Sequence, residues 1–249
     1  MNQITARHYN GMTIVVPAFN EEKVLPLTLG SVNKARSKLL SAAGIPTEVI
    51  VVDNSSTDGT SQVAERLGAR VIRHEIRNIA SVRNAGIRAA THELVVTVDA
   101  DTFLPEHAFL DIWKAMVTGR YIGGGVRLGA STNRKVFHVL VIAIDSAVTL
   151  VTGLSAGMFF FDKQAAISIG GFPEAHLAAE DFAFARKLKE DGAKNDRKFL
   201  NLHSVRILTM DRKAVSIWRN LGAFVSGIKS ALGFKLSKKE LGYWYDPER

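Results

Sequence analysis

Asp99 and Asp101 stand one residue apart in Val98-Asp99-Ala100-Asp101-Thr102, at the end of the apolar run Leu94-Val95-Val96-Thr97-Val98. A short, β-branched, uninterrupted run predicts a strand buried on both faces, so both carboxylates emerge at its carboxyl end. In an open α/β sheet that edge is where ligands bind. Two like charges this close raise each other's pKa, and a Mg²⁺ or Mn²⁺ ion shared with substrate phosphates would relieve the repulsion. A solvated acidic turn is the other reading, since Asp is a common loop residue. The pair alone does not choose between them.

The elements that would position this pair repeat one pattern. Thr13 to Val16 is an apolar run that ends in Pro17-Ala18-Phe19-Asn20-Glu21-Glu22, before a helical segment reaching about Leu40. Glu48 to Val52 is another, ending in Asp53-Asn54-Ser55-Ser56-Thr57-Asp58-Gly59-Thr60 before a helical stretch to Leu67. Ala69 to Ile72 then reads as a strand, Ala80 to Ala90 as a helix, and Leu94 to Val98 as the strand carrying the aspartates. Alternating strands and helices predict an α/β fold with a mostly parallel sheet and right-handed crossovers.

The chain of 249 residues is 47% hydrophobic and has no low-complexity linker, which points to one domain with a sizeable core. It contains no cysteine, so disulfides and thiolate metal sites are excluded. Met1 to Asn10 lacks the apolar core of a secretory signal. A cytoplasmic location is the expectation.

The net charge is +8, with a basic excess at Arg212, Lys213, Arg219, Lys229, Lys235, Lys238 and Lys239. Ile217, Leu221, Phe224, Val225, Ile228 and Leu232 recur there at helical spacing. A basic amphipathic helix of this kind suits peripheral contact with an anionic membrane, here at the inner face; an ordinary terminal helix packed on the sheet is the alternative. Nucleic acid is not expected, because no recognised binding motif accompanies the charge. Val136 to Leu154 is apolar enough to suggest a membrane span, but Asp145 sits at its middle. His138, Asp145, Thr149 and Thr152 fall on one helical stripe, which predicts a buried or interface-lying helix instead.

Four strings in series carry a resemblance: Val16-Pro17-Ala18-Phe19-Asn20-Glu21-Glu22, Val52 to Thr60, Arg83-Asn84-Ala85-Gly86, and Asp99-Ala100-Asp101-Thr102. In order and spacing they resemble the family 2 glycosyltransferases of GT-A fold. Gly170-Gly171-Phe172 and Glu180-Asp181, followed by a helix from Phe182 to Gly192, look like the acceptor-side elements of that family. The resemblance covers residues 12 to 192. It implies a Rossmann-like single domain over residues 1–249, with a nucleotide-sugar-binding half at 12–102, an acceptor half at 103–200 and a basic amphipathic tail at 201–249.

It also implies an inverting transfer from a UDP- or GDP-sugar to a sugar, glycan or lipid-linked acceptor, with Mg²⁺ or Mn²⁺. Asp101 would hold the metal, with Asp99 on the ribose or the metal shell and Ala100 between them lining the donor. Asp53 resembles the family's base-reading aspartate. Pro17, Phe19 and Glu21 match the loop that wraps base and ribose. Arg83 is a candidate partner for the diphosphate or an ordinary surface cation, and Asp58 is expected to cap the helix starting near Thr60. Asp181 matches the catalytic base and Glu180 an acceptor-orienting acid, although two acids also suit the first turn of a helix. The chain has Pro173 where the family often has Asp after Gly-Gly-Phe, which leaves the acceptor class open.

Gly123-Gly124-Gly125 and Ala156-Gly157 each precede a predicted strand. They could admit a close-approaching ligand or mark a strand bend. His203, a lone histidine, is not expected to bind metal. Two other classes compete: a nucleotidyltransferase of similar fold, which usually carries a glycine-rich basic loop after the first strand, and a non-catalytic GT-A-like scaffold, which should have lost the acids. Pro17 to Glu22 has neither glycine nor arginine, and Asp99, Asp101 and Asp181 are all present.

Overall fold

The computed structural model describes residues 6–131, 149, 152–155, 158–175 and 180–210. Along the chain the elements are β1 (Met12–Ala18), α1 (Leu25–Ala43), β2 (Thr47–Asp53), α2 (Thr60–Arg66), β3 (Arg70–Arg73), α3 (Ile79–Ala89), β4 (Leu94–Thr97), β5 (Thr102–Phe103), α4 (Ala108–Met116), β6 (Tyr121–Ser131), β7 (Phe159–Asp162), α5 (Lys163–Ser168), α6 (Glu180–Lys194) and β8 (Lys198–Met210). The strands form one mixed sheet in the order β3-β2-β1-β4-β7-β6-β8-β5. β3, β2, β1 and β4 are mutually parallel. β7 runs against both of its neighbours, β8 lies parallel to β6, and β5 closes the edge antiparallel to β8.

The strand alternation sorts the core into two layers. Ile14, Val16, Val51 and Val96 face α1 and α4, where Leu25, Leu29, Val32, Phe109 and Ile112 pack against them. Val15, Ile50, Val52 and Val95 face the other way, toward Ala80 and Ile87 of α3 and Phe184 and Leu188 of α6. Both faces are covered, which is why these strands read as unbroken β-branched runs. α3 lies close on the sheet because Gly86 has no side chain: a Cβ there would overlap Val15 and press on Val52. The helix ends follow local chemistry. Asn78 caps α3 by accepting from Ser81 N at 3.0 Å, Asp162 caps α5 at Ala165 N, 3.1 Å, and α1 stops at Gly44, which takes a left-handed φ of 69°.

Three expectations change. Pro17 lies inside β1, buried and opposite Val52, so the loop after that strand begins at Phe19. Residues 201–210, expected in the terminal tail, continue β8 along β6; the remaining tail from 211, and most of the Val136–Leu154 segment with Ala156 and Gly157, lie outside the described residues. No helix among the described residues is long and apolar enough to cross a membrane.

The third concerns Gly123-Gly124-Gly125, which makes room for protein atoms. A Cβ on Gly123 would come within 2.6 Å of the Phe160 carbonyl oxygen, one on Gly124 would overlap the Leu200 carbonyl, and one on Gly125 the Ser155 carbonyl. β6 runs between β7 and β8 here, and the neighbours that crowd it include backbone atoms, which cannot rotate aside. Gly124→Ala should therefore destabilise the fold by about 1–3 kcal/mol, read as a lower urea midpoint at unchanged slope.

Candidate active site

The parallel register brings the ends of β1, β2 and β4 to one edge, with Ala18 opposite Asp53 and Val15 opposite Thr97. Two loops leaving that edge are bonded together. Asn20, at a left-handed φ of 53°, donates its N–H to Ser56 Oγ at 3.0 Å and accepts the Thr57 N–H at 2.8 Å. Glu21 N donates to the Thr60 hydroxyl at 2.8 Å, and the Glu22 carboxylate accepts from Gly59 N at 3.0 Å. Asp58 bonds the Thr60 hydroxyl and accepts the Thr60 N–H at 3.0 Å from one residue before the expected position, because the N-cap of α2 is Gly59. Burial works against its charge, but these bonds and the Glu22 N–H hold the Asp58 carboxyl below its ordinary pKa.

Asp53 is buried at the base of the second loop, where Oδ1 accepts from Ser56 N at 3.0 Å and Oδ2 from the Ser61 hydroxyl at 2.6 Å. Each oxygen retains a second lone pair for a ligand N–H. Phe19 is half-buried at the mouth of this region, with the Arg77 guanidinium 4.5 Å above its ring. After β4 the chain makes a tight turn, Thr102 N donating to Asp99 O at 3.0 Å. The Thr28 hydroxyl anchors that turn through Ala100 O at 2.6 Å. Asp101 is 2% exposed, whereas the Asp99 side chain is 41% exposed.

Arg83 is the centre of the site. It projects from α3 and is only 6% exposed, which excludes an ordinary surface cation. Its Nη1 donates to Glu180 Oε1 at 2.8 Å and to Asp181 Oδ1 at 2.6 Å, and its Nη2 to Asp99 Oδ1 at 2.9 Å. One guanidinium thus joins the aspartate turn after β4 to the acidic first turn of α6. The Phe172 ring lies 5.2 Å from its carbon. Burial opposes the charge, but Asp181, Asp99 and Glu180 outweigh it and raise the guanidinium pKa above its ordinary value.

Three carboxylates around one cation leave net negative charge. Burial, then repulsion from Glu180 and Asp99, push the Asp181 carboxyl well above the usual carboxylate range. Arg83 pulls it down, and a hydrogen bond between the Glu180 and Asp181 carboxyls raises it further. A carboxylate whose pKa is raised in this way is a stronger base than an ordinary aspartate.

Among the described residues no group of three or more His, Asp or Glu side chains forms a cage for a metal ion. The donors on the β4 turn are oxygen-only, Asp99 and Asp101. That chemistry fits a hard divalent cation whose shell is completed by substrate phosphates. His203 is exposed on β8.

A further part of the site had no expected role. Asn84, next to Arg83 and also buried at 6%, donates to the Phe172 carbonyl at 2.8 Å and to Glu174 Oε1 at 3.0 Å, and accepts the Phe172 N–H at 2.8 Å. An Arg-Asn pair within a helix whose other residues, Arg88 apart, are small or apolar was the available signal.

The sequence profile described as Glycosyl transferase family 2 matches residues 13–171. An uncharacterized glycosyltransferase of Mycobacterium tuberculosis is 38% identical over 117 residues, 45% of this chain and 49% of that protein, so the match spans about half of that relative. Among solved structures, a mannosyltransferase from Pyrobaculum calidifontis in complex with GDP-Man and Mn²⁺ superposes with a TM-score of 0.63 at 20% identity, covering 95% of this chain and 69% of that one. Glucosyl-3-phosphoglycerate synthase from Mycobacterium tuberculosis, with Mn²⁺, UDP and glucosyl-3-phosphoglycerate, gives 0.62 at 19%, covering 92% and 82%.

Removing the central cation leaves the acids facing one another. Arg83→Met should destabilise the protein by about 3–5 kcal/mol at pH 8. Without Arg83 the folded-state pKa of Asp181 rises further, because the guanidinium pulls it down in wild type, so the folded variant binds more protons than its unfolded chain. Its deficit against wild type should therefore shrink as pH falls from 8 to 5, measured by denaturant titration at each pH.

Proposed function

The chain belongs to the family 2 glycosyltransferases, and on that premise we propose that it moves a sugar from a UDP- or GDP-sugar to an acceptor hydroxyl or lipid phosphate with inversion at the anomeric carbon. The observation that carries this reading is the convergence of Asp99, Glu180 and Asp181 on Arg83 at the carboxyl edge of the sheet. Donor-side and acceptor-side acids meet there in one place. Inversion requires the acceptor oxygen to approach the anomeric carbon opposite the departing diphosphate. As the new C–O bond forms, the sugar–phosphate bond breaks, its electron pair leaves on the diphosphate, and the acceptor proton passes to Asp181. A hydroxyl is a weak nucleophile, and a carboxylate with a raised pKa is a competent acceptor for its proton.

Asp53 would read the imide or amide N–H of the base with its remaining lone pairs, and Phe19 and Glu21 would flank base and ribose. Asp101 and Asp99 would hold Mg²⁺ or Mn²⁺. When bound, that ion supplies Lewis-acid stabilisation of the diphosphate charge. The solved neighbours that contain Mn²⁺ support a divalent requirement. Arg83 would meet the diphosphate by exchanging one of its acid partners for a phosphate oxygen, since Asp99, Glu180 and Asp181 take its Nη atoms, and Glu180 would orient the acceptor. A lipid-linked acceptor and peripheral membrane contact rest on the basic run from Arg212 to Lys239.

Calorimetric titration with UDP and GDP, with and without Mn²⁺, tests the donor side. One nucleotide should bind with Mn²⁺ and lose that metal-dependent gain in Asp101→Ala. Binding that ignores both Mn²⁺ and Asp101 would remove the metal assignment, and no binding of either by folded protein would favour a scaffold.

The acceptor side is tested by Asp181→Asn, which should retain nucleotide affinity while transfer falls about 10²–10⁴-fold. In wild type the acid limb of kcat should lie above the ordinary aspartate range. Glu180→Gln removes a like charge and frees Arg83 for Asp181, so it should move that limb to lower pH. A limb that stays in place would exclude Asp181 as the titrating group.

A further inference from the structure

The side-chain amide of Asn84 treats Phe172 as a neighbouring strand would. It donates to the Phe172 carbonyl and accepts the Phe172 N–H, both at 2.8 Å. All four atoms belong to buried residues, so water is not available to replace these bonds. Gly171 makes the approach possible. Its φ is 69°, and a Cβ there would overlap Asn84 Oδ1, so both conformation and space exclude a side chain. The second amide hydrogen reaches Glu174 Oε1 at 3.0 Å. The Glu174 carbonyl in turn accepts from Asn78 Nδ2 at 2.9 Å, at the cap of the same helix.

Phe172 carries this attachment onward. Its ring stacks on Phe184 of α6 at 4.0 Å between centroids and 15° between planes, and it meets Phe159 and Phe161 edge-on. Phe184 lies three residues after Asp181, less than one helical turn. Two consecutive residues of α3 therefore hold the start of α6 by separate routes. Arg83 does so by charge, through Glu180 and Asp181, and Asn84 does so through the backbone of Phe172 and its stack on Phe184.

We propose that Asn84 is a positioning residue for the transfer: it fixes the Gly171–Glu174 turn against α3 and thereby sets where the first turn of α6 presents Asp181 to the donor edge. This rests on the reading of Asp181 as the base. Asn84 touches no reacting atom in this scheme, and the donor-side loops at Phe19–Glu22 and Asp53–Thr60 are built without it. Its loss should lower turnover and leave the nucleotide site intact. Asn84→Ala also raises helix propensity by some tenths of a kcal/mol at that position, so a defect cannot come from weakening α3 itself.

The test uses the full chain carrying Asn84→Ala, Gly171→Ala or both. Hydrogen exchange followed by mass spectrometry should show the amides of Gly171, Phe172, Glu174 and residues 181–184 exchanging about 10-fold faster or more, with β1 and β2 unchanged. Release of UDP or GDP from UDP-glucose and GDP-mannose with Mn²⁺ should slow by about 10- to 100-fold in kcat, with donor KM within about threefold. The two substitutions break one contact, so the double variant should be no worse than the more damaged single one. Unchanged exchange at 171–174 and 181–184 would overturn the inference, as would faster exchange with turnover within threefold of wild type. Asp181→Asn run in parallel separates the two ideas. Wild-type turnover in that protein would remove the base assignment, whereas an inactive Asp181→Asn beside a fully active Asn84→Ala would remove only the role of Asn84.

Discussion

A buried arginine that holds three carboxylates from two distant parts of the chain is the constraint on which the site depends. Its charge is tolerable inside the protein only because Asp99, Glu180 and Asp181 surround it, and the acids are tolerable so close together only because it is there. Neither side could be built alone. The guanidinium can serve because its N–H groups lie in a fixed fork, so Nη1 and Nη2 reach separate partners at once. A lysine at this position would offer a point charge and would not span the β4 turn and α6 in the same way. The position of Arg83 is fixed in turn by the closeness of α3 to the sheet, which Gly86 allows by leaving room for Val15 and Val52.

The loops after β1 and β2 are organised on a different principle. Between Phe19 and Thr60 the bonds are mostly from backbone N–H groups to side-chain oxygens of Asn20, Glu22, Asp53, Ser56 and Asp58. Short polar side chains thus satisfy the amides of chain that leaves the sheet. The polar cluster after β2 serves largely to hold its own loop and the one after β1, and the ligand sites proposed there use what capacity remains. The same arrangement explains two left-handed residues, Asn20 and Ser55, with φ of 53° and 58°: both occupy turns where side-chain bonds offset the conformational cost.

Much of this was legible from sequence where local physics decides the structure. The strands of β1, β2 and β4 are runs of β-branched residues because both faces are buried, and the carboxyl edge followed from their parallel order. Three features were not legible for identifiable reasons. Gly123 to Gly125 could admit a ligand or a neighbouring strand, and both demand the same missing side chain. The burial of Arg83 depends on acids that lie almost a hundred residues further along, so a helix-surface cation and a buried hub look alike in sequence. Residues 201–210 carry no motif that separates them from the basic run starting at Arg212, yet Val205 and Ile207 are buried. Between Val126 and Arg127 the register jumps from Leu202 to Arg206, so His203, Ser204 and Val205 are extra residues on β8.

The reversed strand is what brings the first turn of α6 to the carboxyl edge. β7 runs against β4, so it delivers the chain to the amino edge of the parallel strands, where Lys163 N bonds the Glu93 carbonyl just before β4. From there α5 and the Gly170–Phe172 turn carry the chain back along α3, and α6 can then begin at the carboxyl edge with its acids against Arg83 and descend to meet the start of β8. Had β7 been parallel, the chain would have left it already at the carboxyl edge, and a helix of the usual crossover kind would have had to start there at once. The return through Gly171 and Phe172 places a separate segment between α5 and α6, and Asn84 grips that segment. The acidic first turn of α6 also gains from the helix dipole, which favours negative charge at an amino end. Topology, charge and dipole therefore agree on one location for Asp181, beside the turn that carries Asp99 and Asp101.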